Sequence, residues 1–272
     1  MDWNGFRAWV DREFRPKVAD DRFRYAQEYC QSLLSGDFSK LVALKVDKRL
    51  HVLASLSALS KFLGIYGDFR SLVSNYGLKW NVRNDDLLIS RLTKAADPNA
   101  IFDWIRLVKA ECPELSDFMD FMTVTGLRYD EAVESYNLII KLGKEGKLDE
   151  YFNREKEILE HFRFKEVFIR RTKKAFVSFV PKELVLKLSS HEPLNIYSVQ
   201  SRVKRRCKKL AFSDIREMHG TLLTKYLKEA EIDFLHGRVG GSVFMRNYFN
   251  PALITDLKER VFKTIEELKL LS

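Results

Sequence analysis

The sequence predicts a mainly helical protein with a small β-sheet or hairpin, arranged as two domains. Apolar residues recur at helical spacing through most of the 272 residues. Only the stretch 165–180 breaks into short runs of Val, Phe and Ile, the composition of strands. A polar stretch at 79–86 separates two helical blocks, which places a helical domain at 1–85 and a larger, mostly helical domain with the sheet at 86–272.

The elements follow in chain order. Residues 11–34 and 47–63 carry the clearest periodicity of the first block. In the second of these, Leu53, Leu56, Leu59, Phe62 and Leu63 form an apolar face, while Lys45, Lys48, Arg49, His51 and Lys61 lie mostly off it. Gly64 and Gly67 stop that helix. From 87 to 142 the pattern is helical again, with Pro98 and Pro113 in first turns, where a missing N–H costs nothing. Residues 165–170 and 175–180 then read as the two arms of a β-hairpin whose tip is Arg171-Thr172-Lys173-Lys174, and Pro181 ends the second arm. Helices return at 182–188, 196–210, 213–230, 232–237, 242–249 and 251–271. The last is amphipathic through Ile254, Leu257, Val261, Ile265 and Leu268, a face that needs either a neighbouring molecule or its own domain to cover it.

The charge balance narrows the partners. Lys and Arg outnumber Asp and Glu by 47 to 38, a formal charge of +9 that favours polyanions. The excess concentrates at Arg170, Arg171, Lys173 and Lys174, and again at Arg202, Lys204, Arg205, Arg206, Lys208 and Lys209. Such clusters suit the phosphates of double-stranded DNA, because each pairing releases condensed counterions. They equally suit a solvated helix face. No apolar run approaches the roughly 18 residues of a membrane helix, so no membrane partner is expected. The first residues lack the basic and then apolar order of a secretory signal, and the expected location is the cytoplasm. Cys30, Cys112 and Cys207 are far apart and signal neither a disulfide framework nor zinc. The histidines His51, His161, His191, His219 and His236 show no paired ligand spacing, so no metal is expected. Phosphate-binding glycine loops are absent, and no nucleotide cofactor is expected.

The residues left for chemistry are Arg, Lys and Tyr. Thr125-Gly126-Leu127-Arg128-Tyr129-Asp130-Glu131 resembles the Thr-Gly-Leu-Arg-x-x-Glu box of tyrosine recombinases, the integrase family, whose Arg binds the scissile phosphate. Ile215-Arg216, with Thr221 beyond it, resembles the second arginine box. Leu235-His236-Gly237-Arg238 falls where the family has Leu-Gly-His, and Arg246-Asn247-Tyr248 where it has the nucleophilic Tyr. Ser213 stands where the second box has its His, and Arg238 where the third has His or Trp. Both departures resemble the integrases of archaeal viruses and plasmids, and another register brings His219 into the second box.

The resemblance spans roughly 87–272 and implies a catalytic domain preceded by a helical core-binding domain. Arg128, Lys173, Arg216, Arg238 and Tyr248 would be catalytic, with Glu131, Ser213, Lys174 and His219 in support. Lys48, Arg49, Arg170, Arg171, Lys174, Arg202, Lys204, Arg205 and Arg206 would touch DNA. It also implies a homo-tetramer on DNA from a monomer or weak dimer in its absence, the segment after the nucleophile packing on a neighbour. The expected activity is cleavage and rejoining of DNA through a 3′-phosphotyrosyl intermediate, integrating or excising a mobile element. Physical chemistry supports the same set. Two guanidinium forks grip non-bridging phosphate oxygens without a metal, arginines favour a tyrosine phenolate, and a lysine on a hairpin protonates the leaving oxygen, with Lys173 and Lys174 both in position. A type IB topoisomerase shares this chemistry. A non-catalytic helical DNA-binding protein explains the charge alone, and an enzyme of small phosphorylated molecules lacks a pocket motif.

Overall fold

A computed structural model describes residues 1–79, 98–170, 173–207, 210–239 and 243–271. The chain divides into two compact units, Met1–Ala95 and Ala96–Ser272. The boundary expected at residues 85 and 86 lies outside the described residues.

Helices are the regular elements of the first unit among its described residues. Asp2 accepts from the Gly5 N–H and caps α1 (Trp3–Glu13). Pro16 then opens α2 (Pro16–Ser35), so the helix expected over 11–34 is two helices, broken where proline removes a backbone donor. Gly36, at φ 72°, ends α2 in the left-handed region. A short α3 (Ser39–Val42) leads to α4 (Val46–Phe62), which packs along α2 and buries Val52, Leu53, Leu56 and Leu59. Phe38 and Phe69 of α5 (Tyr66–Asn75) close this core.

The second unit is built around one buried helix. After α6 (Pro98–Glu111), α7 (Ser116–Thr125) buries Phe118, Met119, Phe121, Met122 and Val124. Such all-round apolarity requires neighbours on every side. These are α6, α8 (Tyr129–Lys144) and, later in the chain, α10 (Lys182–Leu188), α12 (Phe212–Leu223) and α15 (Leu257–Leu271).

The sheet is antiparallel and three-stranded: β1 (Phe152–Asn153), β2 (Ile158–Leu159) and β3 (Ser178–Phe179), in the order β1-β2-β3. The first arm expected for the hairpin is instead mostly α9 (Lys165–Phe168), a helical turn. Helical backbone there lets Phe168 drop into the core, stacked on Tyr151 with ring centroids 6.1 Å apart. What survives of the hairpin is its end, where Ile169 bridges Lys174 and the Arg170 N–H donates to the Lys173 carbonyl at 2.9 Å.

The helix expected over 213–230 breaks after α12, and α13 (Glu229–Leu235) starts afresh with Glu231 accepting from the Lys228 N–H. Before them comes α11 (Ile196–Arg206), capped by Asn195, and after them α14 (Val243–Asn247). The segment 251–271 opens with a 3-10 turn, Pro251–Leu253, before α15. Val261, Ile265 and Leu268 of α15 are buried in the core of this unit, so the unit itself covers the apolar face that the sequence left open. All three cysteines are buried and free. Among the described residues no helix is long and apolar enough to cross a membrane.

Candidate functional site: an arginine cluster at two helix ends

Two helix C-termini meet a set of guanidinium groups. Helix α7 ends at Gly126, whose φ of 56° leaves its carbonyl outside the helical ladder. Helix α13 ends at His236 and Gly237, with the Gly237 N–H donating to Phe234 and the Arg238 N–H to the Asp233 carbonyl at 2.7 Å. That is a Schellman closure, and it leaves the His236 carbonyl free to accept.

Arg216, on α12, spans both ends. Its Nη1 donates to the Gly126 carbonyl and its Nη2 to the His236 carbonyl, each at 2.6 Å. Helix C-termini carry partial negative charge, which suits a cation. Among the described residues Arg216 hydrogen-bonds only to carbonyls, so no carboxylate cancels its charge directly. Burial, and then repulsion from Arg128, lower its pKa to about 10.

Arg128 precedes α8 and reaches the same place. Its Nη2 lies 3.5 Å from the His236 carbonyl, and its Nη1 donates to the Lys174 carbonyl at 3.3 Å. Nη1 also contacts both oxygens of Glu131 at 3.0 Å. Glu131 is buried in the first turn of α8, where the helix dipole favours a carboxylate, and it accepts from Arg170 Nη2 at 2.8 Å as well. Arg128 and Arg170 therefore share one carboxylate beside Arg216, and Arg170 Nε is buried without a hydrogen-bond partner among the described residues. The balance of this site favours an anion.

The other expected residues are placed as follows. Arg238 is exposed, 3.7 Å from Asp233, and close enough to Arg216 to depress its pKa further. Lys173 is exposed and Lys174 half-buried at the base of the hairpin end. Ser213 is exposed on the first turn of α12, three residues before Arg216. His219 is fully buried behind Arg216. Its ring nitrogens contact the His236 ring at 3.1 Å and the Val124 carbonyl at 3.1 Å, so it does not open onto the anion-favouring side. Tyr248 follows α14 and is 73% exposed; among the described residues no contact joins it to the arginines.

The residues expected to meet DNA are more engaged than an open basic face would be. Lys48 pairs with Glu28 and lies over the Tyr29 ring, and Arg49 donates to the Val42 carbonyl. Arg202 pairs with Glu114, and Arg206 donates to the Glu111 carbonyl at the end of α6. Lys204 and Arg205 are exposed on α11, and Arg171 lies outside the described residues.

Two features had no reading in the sequence. The first is the His236 carbonyl as common acceptor of two arginines. Its only advance signal is the three-residue spacing of Arg216 and His219, which puts both on one helix face. The second is a buried chain of hydrogen bonds from Ser135 through Tyr151 and His161 to Ser178, linking α8 to β3. Among the described residues no cluster of His, Cys, Asp or Glu has the makings of a metal site. No family model matches the chain, and comparison with curated proteins and with solved structures found no match.

Proposed function

We propose that the chain is a DNA strand-cutting and rejoining enzyme of the tyrosine recombinase type, acting without metal or nucleotide cofactor. The observation that carries the reading is the convergence of Arg128 and Arg216, distant in sequence, on one carbonyl oxygen in a site short of carboxylates. In the reaction these two forks hold the non-bridging oxygens of a scissile phosphate, where charge grows in the transition state. Glu131 orients Arg128 and Arg170. Tyr248 is the nucleophile: its exposure suits a group that swings onto DNA, and it loses its phenol proton to solvent as the Tyr–phosphorus bond forms. The bond from phosphorus to the 5′ oxygen breaks, and Lys173 or Lys174 protonates that oxygen. Rejoining is the reverse, since the phosphotyrosyl bond keeps the energy of the phosphodiester. The mobile-element role, the tetramer on DNA and the archaeal affinity belong to the same proposal.

The test is trapping of SDS-resistant adducts on nicked duplexes with randomised cores. Wild-type protein is expected to give adducts from which a common site emerges. Tyr248→Phe is expected to bind the same duplexes and form none, and Arg128→Ala or Arg216→Ala to slow trapping by about a hundredfold or more. Undiminished adduct from the Phe variant rejects the assignment. Binding with no adduct from any form leaves a DNA-binding module, and sequence-independent relaxation of supercoiled plasmid leaves a topoisomerase.

A further inference from the structure

The buried histidines behind the arginines form a chain whose hydrogen positions follow from its ends. The Val124 carbonyl can only accept, so His219 Nε2 carries a proton and donates to it. In a neutral ring His219 Nδ1 is then an acceptor, and His236 Nε2 must donate to it across 3.1 Å. That leaves His236 Nδ1 a bare lone pair, buried and without a partner among the described residues. The rings are nearly parallel, 19° apart, with centroids 5.3 Å from each other.

The backbone is cut to fit them. A Cβ at Gly126 would lie 2.2 Å from His219 Nδ1, and one at Gly220 would lie 3.0 Å from His236 Cε1. Both rings therefore occupy space that glycine leaves on α7 and α12. The pair joins three helices: Val124 on α7, His219 on α12 and His236 at the end of α13.

We infer that His219 and His236 are positioning residues, an imidazole clasp that fixes the His236 carbonyl and through it aims Arg216 and Arg128 at an anion. The inference rests on the reading of the two arginines as a phosphate grip and deepens it. The main-chain oxygen of His236 accepts from both arginines, while its ring is held by His219. Fixing the ring restricts the residue, and a restricted carbonyl holds the forks in one orientation before an anion arrives. Preorganisation of this kind raises affinity by removing the cost of ordering on binding. The clasp works only in its neutral form, because a proton on His236 Nδ1 or His219 Nδ1 adds positive charge beside Arg216, Arg128 and Arg238. One on His219 Nδ1 also sets two N–H groups against each other.

The test uses inorganic phosphate as the probe and calorimetry on the whole chain, with circular dichroism as the control for folding. Wild-type protein is expected to bind phosphate, and Arg216→Ala to abolish the binding. His236→Leu is expected to weaken it on the order of tenfold, the scale on which groups supporting a bound ion act. His236→Gln, whose amide N–H replaces the Nε2 donor, is expected to recover most of the loss, which a general packing defect would not allow. Gly220→Ala provides a variant that spares the histidines: its methyl presses on the His236 ring without breaking α12, and it too is expected to weaken binding. Phosphate binding equal to wild type in His236→Leu or Gly220→Ala overturns the clasp while leaving the arginine grip standing. If Arg216→Ala binds as wild type does, or wild type binds no phosphate, the grip itself falls and the clasp with it.

Discussion

Burial decides the charge state of three histidines. Burial holds the pKa of His161 at about 3, and burial followed by Arg216 holds His219 at about 4. Burial, then Arg216, His219, Arg238 and Arg128, hold His236 at about 2. Each would titrate near 6.5 in the unfolded chain, so below that pH the unfolded state binds protons that the folded state refuses. The stability present above pH 6.5 is therefore lost progressively as the pH falls towards 4, by up to about 1.4 kcal/mol per pH unit for each histidine. Between pH 6 and 5 ordinary carboxylates are still largely ionised in both states, so the slope there belongs mainly to the histidines. Urea denaturation across that window is expected to show a slope in wild type that drops by about one histidine's share in His161→Gln. An unchanged slope would mean that His161 takes up its proton in the folded protein as readily as in the unfolded one.

Close approach between elements explains why some positions admit only glycine. At Gly237, φ is 63° and a Cβ would sit 1.7 Å from the Lys174 carbonyl oxygen, the same oxygen that accepts from Arg128. Gly146 has a similar φ of 68° but open space around it. Both alanine variants incur left-handed strain of about 1–3 kcal/mol, yet only Gly237→Ala must also push the hairpin end away from α13. Denaturation midpoints are expected to fall distinctly further for Gly237→Ala than for Gly146→Ala, and equal losses would remove the close approach from the argument. This contrast also marks how far the sequence could be read. Helix-forming stretches, the stop at Gly64 and the choice of Arg128 and Arg216 as candidates were legible because each leaves a periodic or local residue pattern. The break at Pro16 was visible in principle, since proline opens helices. The β1-β2 hairpin was not, because its turn ends on Glu157 at φ 51°, with none of the glycine or Asn-Gly signals of such turns. Nor was the role of His236, since a main-chain carbonyl accepts in the same way from any residue type and only the fold aims Arg128 and Arg216 at this one.

At the scale of the whole molecule, the two units have separate cores, and among the described residues the charged side chains other than Glu131 and Glu231 stay at least partly exposed. The cationic arginine cluster persists because helix ends and Glu131 supply the counter-charge that water would supply outside. The same scale decides what α15 does. An amphipathic helix at this position can hold a neighbour or close its own domain, and Val261, Ile265 and Leu268, each at most 3% exposed within the unit, place it in the second role. A helix that belongs to its own core stabilises the chain independently of other copies, whereas one borrowed by a neighbour makes the melting temperature rise with protein concentration. By itself the protein is expected to melt at one temperature over a wide range of concentrations. Ile265→Ala is expected to lower the stability of the second unit by about 2–5 kcal/mol at any of them, as truncation of a buried core side chain does. A melting temperature that climbs with concentration, with a loss for Ile265→Ala that shrinks on dilution, would assign the helix to a contact between copies.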